Sequence, residues 1–314
     1  MINTIRNKVK ETKPLIHCIT NPISIYQCAN AILAVGARPM MAEHPREVRE
    51  ITESADALLL NLGNITNVRM ESMILAAKAA KQKGIPIVLD AVGVACSALR
   101  REFAAELLKL VTPTVIKGNY SEINALFYEE YRSAGVDADA SLEPDSVSRT
   151  AVALAEAKQT VILASGKTDI ITDGKRLVYG HNGTPQLATV TGTGCMLGAL
   201  CATYLSAYES KEGVQNAKGA EPDKLLELKS VKTSERESSE TLNVDKIQKL
   251  HEKKVFAIDS AITACAVLGI CGELAKTEAG SGSFMMRLMD ALSMLKDTEL
   301  EAYLRTEERE IEKV

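Results

Sequence analysis

Five short runs of the chain are mostly apolar instead of alternating between apolar and polar residues. This pattern is typical of strands buried on both faces, as in a parallel sheet covered by helices. The runs are Leu15–Ile19, Ala57–Leu60, Ile85–Leu89, Thr114–Ile116 and Val161–Ala164. Segments with helical periodicity lie between them, at Tyr26–Val35, Arg69–Lys83, Arg101–Leu110 and Ser148–Ala157. The alternation predicts an α/β layered fold with a mostly parallel central sheet and helices on both faces.

The later part of the chain adds three features to this pattern. Asp173-Gly174 separates two strand-like runs and predicts a hairpin at an antiparallel edge of the sheet. After residue 190 the chain becomes almost entirely helical, which favours one domain over residues 1–314. The segment Glu209–Lys246 holds 16 charged residues in 38 and few large apolar ones. We therefore expect a mobile insertion at about 209–246, with a short helix around Asp223–Leu228.

Charge and composition restrict the class of partner. The formal net charge is −4, aromatic residues make up 4% of the chain, and Trp is absent. Base stacking on nucleic acid and binding of polyanions through bulk charge are therefore unfavourable. The late apolar stretch Val255–Ala275 has 13 uncharged residues between Asp259 and Glu273, too few to span a bilayer, and predicts a buried helix. With no run resembling a signal peptide at the start, we expect a soluble cytoplasmic protein that binds small molecules and neither nucleic acid nor membrane.

The seven cysteines are odd in number, scattered, and mostly placed inside apolar runs. No CxxC pair or metal-type spacing is present, so we expect free, buried thiols in a reducing compartment. Cys195 differs from the other six because it stands within a glycine motif.

That motif, Thr191-Gly192-Thr193-Gly194-Cys195, precedes an apolar helix that runs to about Ala207. Glycines let the backbone approach a ligand, and the free N–H groups of a helix N-terminus favour an anion. The GxGxxxG spacing differs from the dinucleotide fingerprint, which also lies early in a chain. The motif predicts an anion site, and the alternative is a tight turn before a packed helix.

Two acidic residues follow predicted strands. Asp90 ends the run Ile-Pro-Ile-Val-Leu-Asp, and Glu122 lies in the segment Lys117–Glu122. Ligands of open α/β sheets bind outside the carboxyl ends of strands. Carboxylates that share an ion with waters and nucleotide phosphates are the usual setting for Mg²⁺. The alternatives are an aspartate that starts a turn and a glutamate that caps a helix.

Longer blocks of sequence connect these motifs to a known family. They are Leu15–Asn21, Gly36–Ala42, Leu60–Gly63, Leu89–Gly93, Ile116–Ile123, Thr191–Leu197 and Gly282–Phe284. Over about residues 14–208, and again over 255–295, the chain resembles hydroxyethylthiazole kinase, a thiamine-salvage enzyme with a ribokinase-like fold. Most ribokinase-like kinases carry an aspartate base where this chain has Cys195, and cysteine is characteristic of the hydroxyethylthiazole kinases.

The resemblance implies ATP-dependent phosphorylation of the hydroxyl of 4-methyl-5-(2-hydroxyethyl)thiazole. It implies substrate contacts at Asn21, Ile23, Met41 and Gly192, and catalytic roles for Cys195, Gly192 and Gly194. It places Mg²⁺ at Asp90 and Glu122, and ATP at Lys117, Asn119, Ser165 and Gly166. It also implies a homotrimer with active sites between subunits. Lys117, Ser165 and Ala91 depart from the Arg, Thr and Pro that are commoner in the family, and the change from Arg to Lys loses bidentate geometry.

Cys195 is expected to act only modestly as a base. A free thiol has a pKa of about 8.5, and a helix N-terminus lowers that value. Three other functions stay open. The first is another ribokinase-like kinase of the hydroxymethylpyrimidine or pyridoxal type, and the second is an ATP- or ADP-dependent NAD(P)H-hydrate dehydratase. Both predict an aspartate at position 195. The third, a regulatory module without activity, predicts the loss of Asp90, Glu122 or the glycine pair.

Overall fold

The strands of the computed structural model, which describes residues 1–133, 142–208 and 238–311, form one nine-stranded sheet. The strands are β1 (Leu15–Ile19), β2 (Arg38–Met40), β3 (Ala57–Asn61), β4 (Ile87–Asp90), β5 (Val115–Asn119), β6 (Val161–Ser165), β7 (Asp169–Thr172), β8 (Leu177–Gly180) and β9 (Thr306–Arg309). The helices are α1 (Ile2–Thr12), α2 (Ile25–Ala34), α3 (Val48–Ser54), α4 (Asn67–Lys83), α5 (Ala98–Leu110), α6 (Tyr120–Phe127), α7 (Pro144–Lys158), α8 (Thr193–Leu205), α9 (Ser238–Leu274), α10 (Ser281–Met294) and α11 (Asp297–Tyr303).

The strand order is β2-β1-β3-β4-β5-β6-β7-β8-β9, and the first six strands in this order are mutually parallel. Their carboxyl ends therefore meet at one edge of the sheet. The register pairs Asn61 with Asp90, Asp90 with Lys117, and Asn119 with Ser165. The last residues of four neighbouring strands therefore lie at this edge, with Asn61, Asp90 and Lys117 in one row and Asn119 paired with Ser165 two positions beyond Lys117.

Strand β3 illustrates why the apolar runs do not alternate. Ala57 and Leu59 point into a core shared with α1, α2, α8, α9 and α10. Leu58 and Leu60 point to the opposite face, into a core shared with α3, α4 and α5. Because helices cover both faces, every side chain of the strand is buried. The predicted α/β fold with a mostly parallel sheet is confirmed.

The antiparallel edge lies where the hairpin motif predicts it. β7 pairs antiparallel with β8, and the turn between them contains Asp173 and Gly174, the latter at φ 89°. A third antiparallel strand, β9, adds to β8 from the far end of the chain. The sequence analysis missed β9 because its residues, Thr-Glu-Glu-Arg, are all exposed and carry no apolar pattern.

Helix α9 is long, and most of it is buried. Residues Gln248–Leu274 are long and apolar enough to cross a membrane by length and composition, yet 89% of the most apolar window is buried inside the protein. The helix packs against α8, as expected for the core helix predicted over Val255–Ala275. Residues 209–237 of the predicted charged insertion, including its short helix around Asp223–Leu228, lie outside the described residues. From Ser238 onward the backbone is helical.

The two ends of the described chain are joined. Arg6 of α1 donates to Asp297 Oδ1 at 2.6 Å and to the carbonyl of Leu295 at 2.6 Å. Arg6 is 4% exposed, so this guanidinium is bound within the protein. Asn7 also donates to Asp297, at 3.0 Å. The first helix is thereby fixed to the segment that leads into α11 and β9.

Candidate active site

The glycine motif forms the entry to α8. Gly192 is the N-cap residue, in the left-handed region at φ 89°, and a Cβ built on it would lie 3.1 Å from Cβ of Ser24. Any other residue would be strained there and would crowd the start of α2. Within the described chain no side chain caps this end of the helix. Its first N–H groups are therefore available to an anion.

A buried ion pair lies beside this helix end. Lys117 Nζ stands 3.0 Å from Asp90 Oδ1, and Asn61 Nδ2 donates to Asp90 Oδ2 at 2.7 Å. Burial raises the pKa of Asp90, while Lys117 and Asn61 oppose that rise. The charges of Asp90 and Glu122 outweigh burial and raise the pKa of Lys117, which holds it in the charged form. A Cβ on Gly194 would lie 3.4 Å from Lys117 Nζ, so the ammonium group faces the glycine motif.

Glu122 caps its own helix and the loop after β4. Its Oε2 accepts from the Asn119 N–H at 2.7 Å, and its own N–H donates to Asn119 Oδ1 at 2.9 Å, which completes a capping box. Its Oε1 accepts from the Gly93 N–H at 2.7 Å. Burial, with the charge of Asp90, raises the pKa of Glu122 to about 7, although Lys117 opposes the shift. Glu122 therefore has the helix-capping role that the sequence analysis named as an alternative. Its side chain also links the loop after β4 to the end of β5.

Cys195 lies in the first turn of α8 and is 8% exposed. Its Sγ accepts a hydrogen bond from Asn21 Nδ2 at 3.3 Å. Burial and the charge of Asp90 raise the pKa of the thiol, and Lys117 only partly offsets them. The sequence analysis expected the helix N-terminus to lower the pKa of this thiol. That expectation is wrong, because the effect of burial on the pKa is larger than the effect of the helix. The thiol is protonated at neutral pH.

The predicted substrate residues surround the start of α2. Asn21 Oδ1 accepts from the N–H groups of Ile23 at 3.0 Å and Ser24 at 3.2 Å, which fixes the turn and aims the amide at Cys195. Met41 follows β2, is half-buried, and packs against the core beneath the sheet. The side chain of Ile23 is 58% exposed in the single chain. Asn21 and Gly192 thus stand with Cys195, whereas Ile23 points outward.

The predicted nucleotide residues lie at the ends of β5 and β6. Ser165 pairs with Asn119 in the sheet, and its hydroxyl donates to the Gly118 carbonyl at 3.3 Å. Gly166 follows, and a Cβ there would lie 2.7 Å from the ring of Tyr120. Only glycine allows so close an approach. The four predicted ATP contacts therefore lie on adjacent strands, with Lys117 on the side nearer α8.

The donor set for a cation consists of two carboxylates. In the described ranges, no group of three or more His, Cys, Asp or Glu side chains is placed to hold a metal. Each oxygen of Asp90 and Glu122 already receives one hydrogen bond and keeps a second lone pair. These residues fit a Mg²⁺ ion held through water and shared with nucleotide phosphates, and they do not fit an all-protein cage.

Three residues of the site had no role assigned from the sequence. Asn61 orients Asp90, Ser24 lies against Gly192, and Tyr120 contacts Gly166. Asn61 could have been found, because it ends an apolar run just as Asp90 does and so must reach the same sheet edge. Ser24 and Tyr120 carry no such signal, since their roles depend on helix packing.

The raised pKa of Glu122 predicts a pH-dependent stability. Its folded pKa of about 7 exceeds the ordinary value, so the folded state favours the protonated form. The stability that Glu122 contributes is complete below about pH 4 and is lost as pH rises through about 7. In metal-free buffer, the free energy of unfolding of wild type relative to Glu122→Gln should fall by about 1–3 kcal/mol between about pH 5 and about pH 8, measured by urea denaturation. The exposed Glu106→Gln should give no such change, and parallel pH curves for wild type and Glu122→Gln would refute the assignment.

Comparison with known proteins points to one family. A sequence model of the hydroxyethylthiazole kinase family matches residues 6–254. Hydroxyethylthiazole kinase 2 of Clostridium botulinum is 38% identical over 298 residues, covering 93% of this chain and 95% of that protein. Hydroxyethylthiazole kinase of Thermoanaerobacter pseudethanolicus is 44% identical over 201 residues, covering 64% of this chain and 75% of that protein. The structure of the hydroxyethylthiazole kinase protein from Pyrococcus horikoshii has a TM-score of 0.77 and 28% identity, covering 98% of this chain and 99% of that one. The chain belongs to the hydroxyethylthiazole kinase family.

Proposed function

We propose that the protein transfers the γ-phosphoryl group of ATP to the hydroxyl of 4-methyl-5-(2-hydroxyethyl)thiazole, in thiamine biosynthesis or salvage. The bond between the hydroxyl oxygen and Pγ forms, the bond between Pγ and the ADP oxygen breaks, and the hydroxyl proton is released. The observation that carries the proposal is Cys195 at the uncapped start of α8, beside the buried pair of Lys117 and Asp90. Family membership supplies the substrate class.

The residues suit a reaction that depends on positioning and electrostatics. The N–H groups that follow Gly192 and Gly194 would stabilise the charge on the transferring phosphoryl group, and Lys117 adds a fixed positive charge beside them. Asn119, Ser165 and Gly166 would hold the nucleotide.

On the acceptor side, Asn21 would orient the hydroxyethyl arm near Cys195, with Ile23 and Met41 against the ring. A Mg²⁺ ion, bound near Asp90 and Glu122, would neutralise phosphate charge. Lys117 keeps Asp90 in place, and the backbone donors on Glu122 fix its direction.

The competing activities are less well supported. A hydroxymethylpyrimidine or pyridoxal kinase, or a hydrate dehydratase, would be expected to carry an aspartate at position 195. A regulatory module would be expected to lack Asp90, Glu122 or the glycines, and all of these are present. The matching relatives are named hydroxyethylthiazole kinases.

An exposed apolar surface near the site supports a homotrimer with active sites between subunits. It consists of Ile23, Tyr26 and Leu33 near or on α2 with Met286 on α10, which are 58%, 75%, 55% and 66% exposed. Contiguous apolar surfaces of this kind mark association sites. In such an assembly Ile23, which faces outward in one chain, would reach a thiazole bound at the interface. The proposed compartment is the cytoplasm.

The activity is tested by ATP turnover with three alcohols. We expect the hydroxyethylthiazole to stimulate ADP release strongly, and pyridoxal and hydroxymethylpyrimidine to stimulate it far less. Coupled detection of ADP, with mass measurement of the thiazole phosphate, checks both products. Absence of stimulation by the thiazole would overturn the proposed substrate.

Substitution of Cys195 tests how much the thiol contributes. Because its raised pKa keeps it protonated, Cys195→Ala should lower kcat by less than about 10⁴-fold, the upper limit of general-base help. Cys195→Asp should keep or raise kcat if base strength limits the rate. A larger loss in Cys195→Ala, with the fold intact by circular dichroism, would assign the thiol a principal role.

The oligomeric state is tested by sedimentation at micromolar concentration. We expect a trimer for wild type and smaller species for Tyr26→Asp, because a charge would be buried against apolar residues. Tyr128→Asp, at a tyrosine 51% exposed elsewhere on the surface, is the matched control. A monomeric wild type would contradict the assembly.

A further inference from the structure

The turn between β6 and β7 carries two of the proposed ATP contacts. Ser165 ends β6, Asp169 begins β7, and only three residues separate them. Gly166 and Lys167 are exposed, so the turn lies at the surface. A nucleotide bound there needs the turn in one geometry, which surface turns seldom keep without support.

The first support comes from Asp169. Its Oδ1 accepts from the Gly166 N–H at 3.1 Å, across the turn. Asp169 also lines a small cavity together with Cys265 of α9. Strand β7, which begins at Asp169, packs against α9, so the carboxylate that holds the exposed turn stands on a strand fixed to the core.

The second support comes from Tyr120. Its phenol donates to the carbonyl of Thr168, and its ring lies against Gly166, where a Cβ would approach to 2.7 Å. Tyr120 is the first residue of α6, next to Asn119 and two residues before Glu122. The turn is thereby joined to the segment that carries the proposed metal-binding carboxylate.

The neighbouring hairpin turn offers a comparison. Between β7 and β8, Asp173 Oδ1 accepts from the N–H groups of Lys175 at 2.9 Å and Arg176 at 2.8 Å. Thr172 accepts from the Gly174 N–H at 3.0 Å. These are bonds within the turn itself. The β6–β7 turn has the corresponding bond between Asp169 and the Gly166 N–H and, in addition, the contacts of Tyr120 on α6.

We propose that Asp169 and Tyr120 are positioning residues that set the affinity for the nucleotide by fixing the turn at Ser165 and Gly166. The proposal rests on the proposed function in that it takes this turn as part of the ATP site. The two residues touch neither the substrate nor the reacting atoms.

The test measures binding of ADP with Mg²⁺ and binding of the thiazole alcohol separately, by calorimetry, in the intact protein. Asp169→Ala should weaken ADP binding about 5- to 10-fold and change thiazole binding less than 2-fold, as expected for loss of one ordinary hydrogen bond. Asp169→Asn keeps the acceptor oxygen and should restore most of the affinity. Tyr120→Phe keeps the ring and should weaken ADP binding about 3- to 10-fold.

Two matched controls separate positioning from general stability. Asp173→Ala removes the corresponding carboxylate from the neighbouring turn, and Tyr179→Phe removes a phenol that donates to Asp145 at 3.0 Å. Both should leave ADP binding within 2-fold of wild type. If Asp169→Ala fails to fold, Tyr120→Phe and Asp169→Asn still decide the matter, through ADP affinity and amide hydrogen exchange at Gly166.

Each outcome has a distinct meaning. Equal loss of ADP and thiazole binding, or unchanged ADP binding in both Asp169→Ala and Tyr120→Phe, would overturn the positioning role. A wild type that binds ADP without phosphorylating the thiazole would refute the proposed substrate and leave the positioning role to be decided by the variants. A wild type that binds no adenine nucleotide would overturn both.

Discussion

Lys117 and Asp90 bring two opposite charges into contact inside the protein, 3.0 Å apart and almost without exposure to solvent. Burial of a lone carboxylate or ammonium group is costly, and removal of one partner from such a pair costs about 3–5 kcal/mol. The cost of burial is offset because both charges have partners. Asn61 donates a hydrogen bond to the other oxygen of Asp90, and the glycine motif of α8 lies over the ammonium group of Lys117. The site is therefore organised before any ligand arrives.

Several other features depend on this pair. The positive charge of Lys117 stabilises the ionised form of Glu122. Without it, burial would raise the pKa of Glu122 further. The negative charge of Asp90 reaches Cys195 and helps to keep that thiol protonated. The ion pair thus adds to or opposes the effect of burial on the pKa of both neighbours.

The layout of the fold could be predicted from the sequence because it depends on burial. Strands covered on both faces must be mostly apolar, and β3 and β4 are apolar except at their last residues, Asn61 and Asp90. Strand β9 could not be predicted, since an exposed edge strand of charged residues has no such requirement. Within the site, the positions of Asp90 and Glu122 follow from strand ends. The raised pKa of Cys195 does not, because it depends on how closely α8 packs onto β4. The capping box of Glu122 lay among the alternatives, and the distances decided for it.

The chain's two ends are held together, and this has a consequence for synthesis. Strand β8 pairs on its outer side with β9, whose residues come more than a hundred positions later in the chain. Arg6 likewise donates hydrogen bonds to Asp297 and Leu295, which are made long after it. A chain still emerging from the ribosome can form the parallel strands but cannot complete the outer edge or bury that guanidinium. Contacts of such long sequence separation form late and slow the folding of a domain. Residues 295–309 therefore complete contacts with segments that precede them by more than a hundred positions.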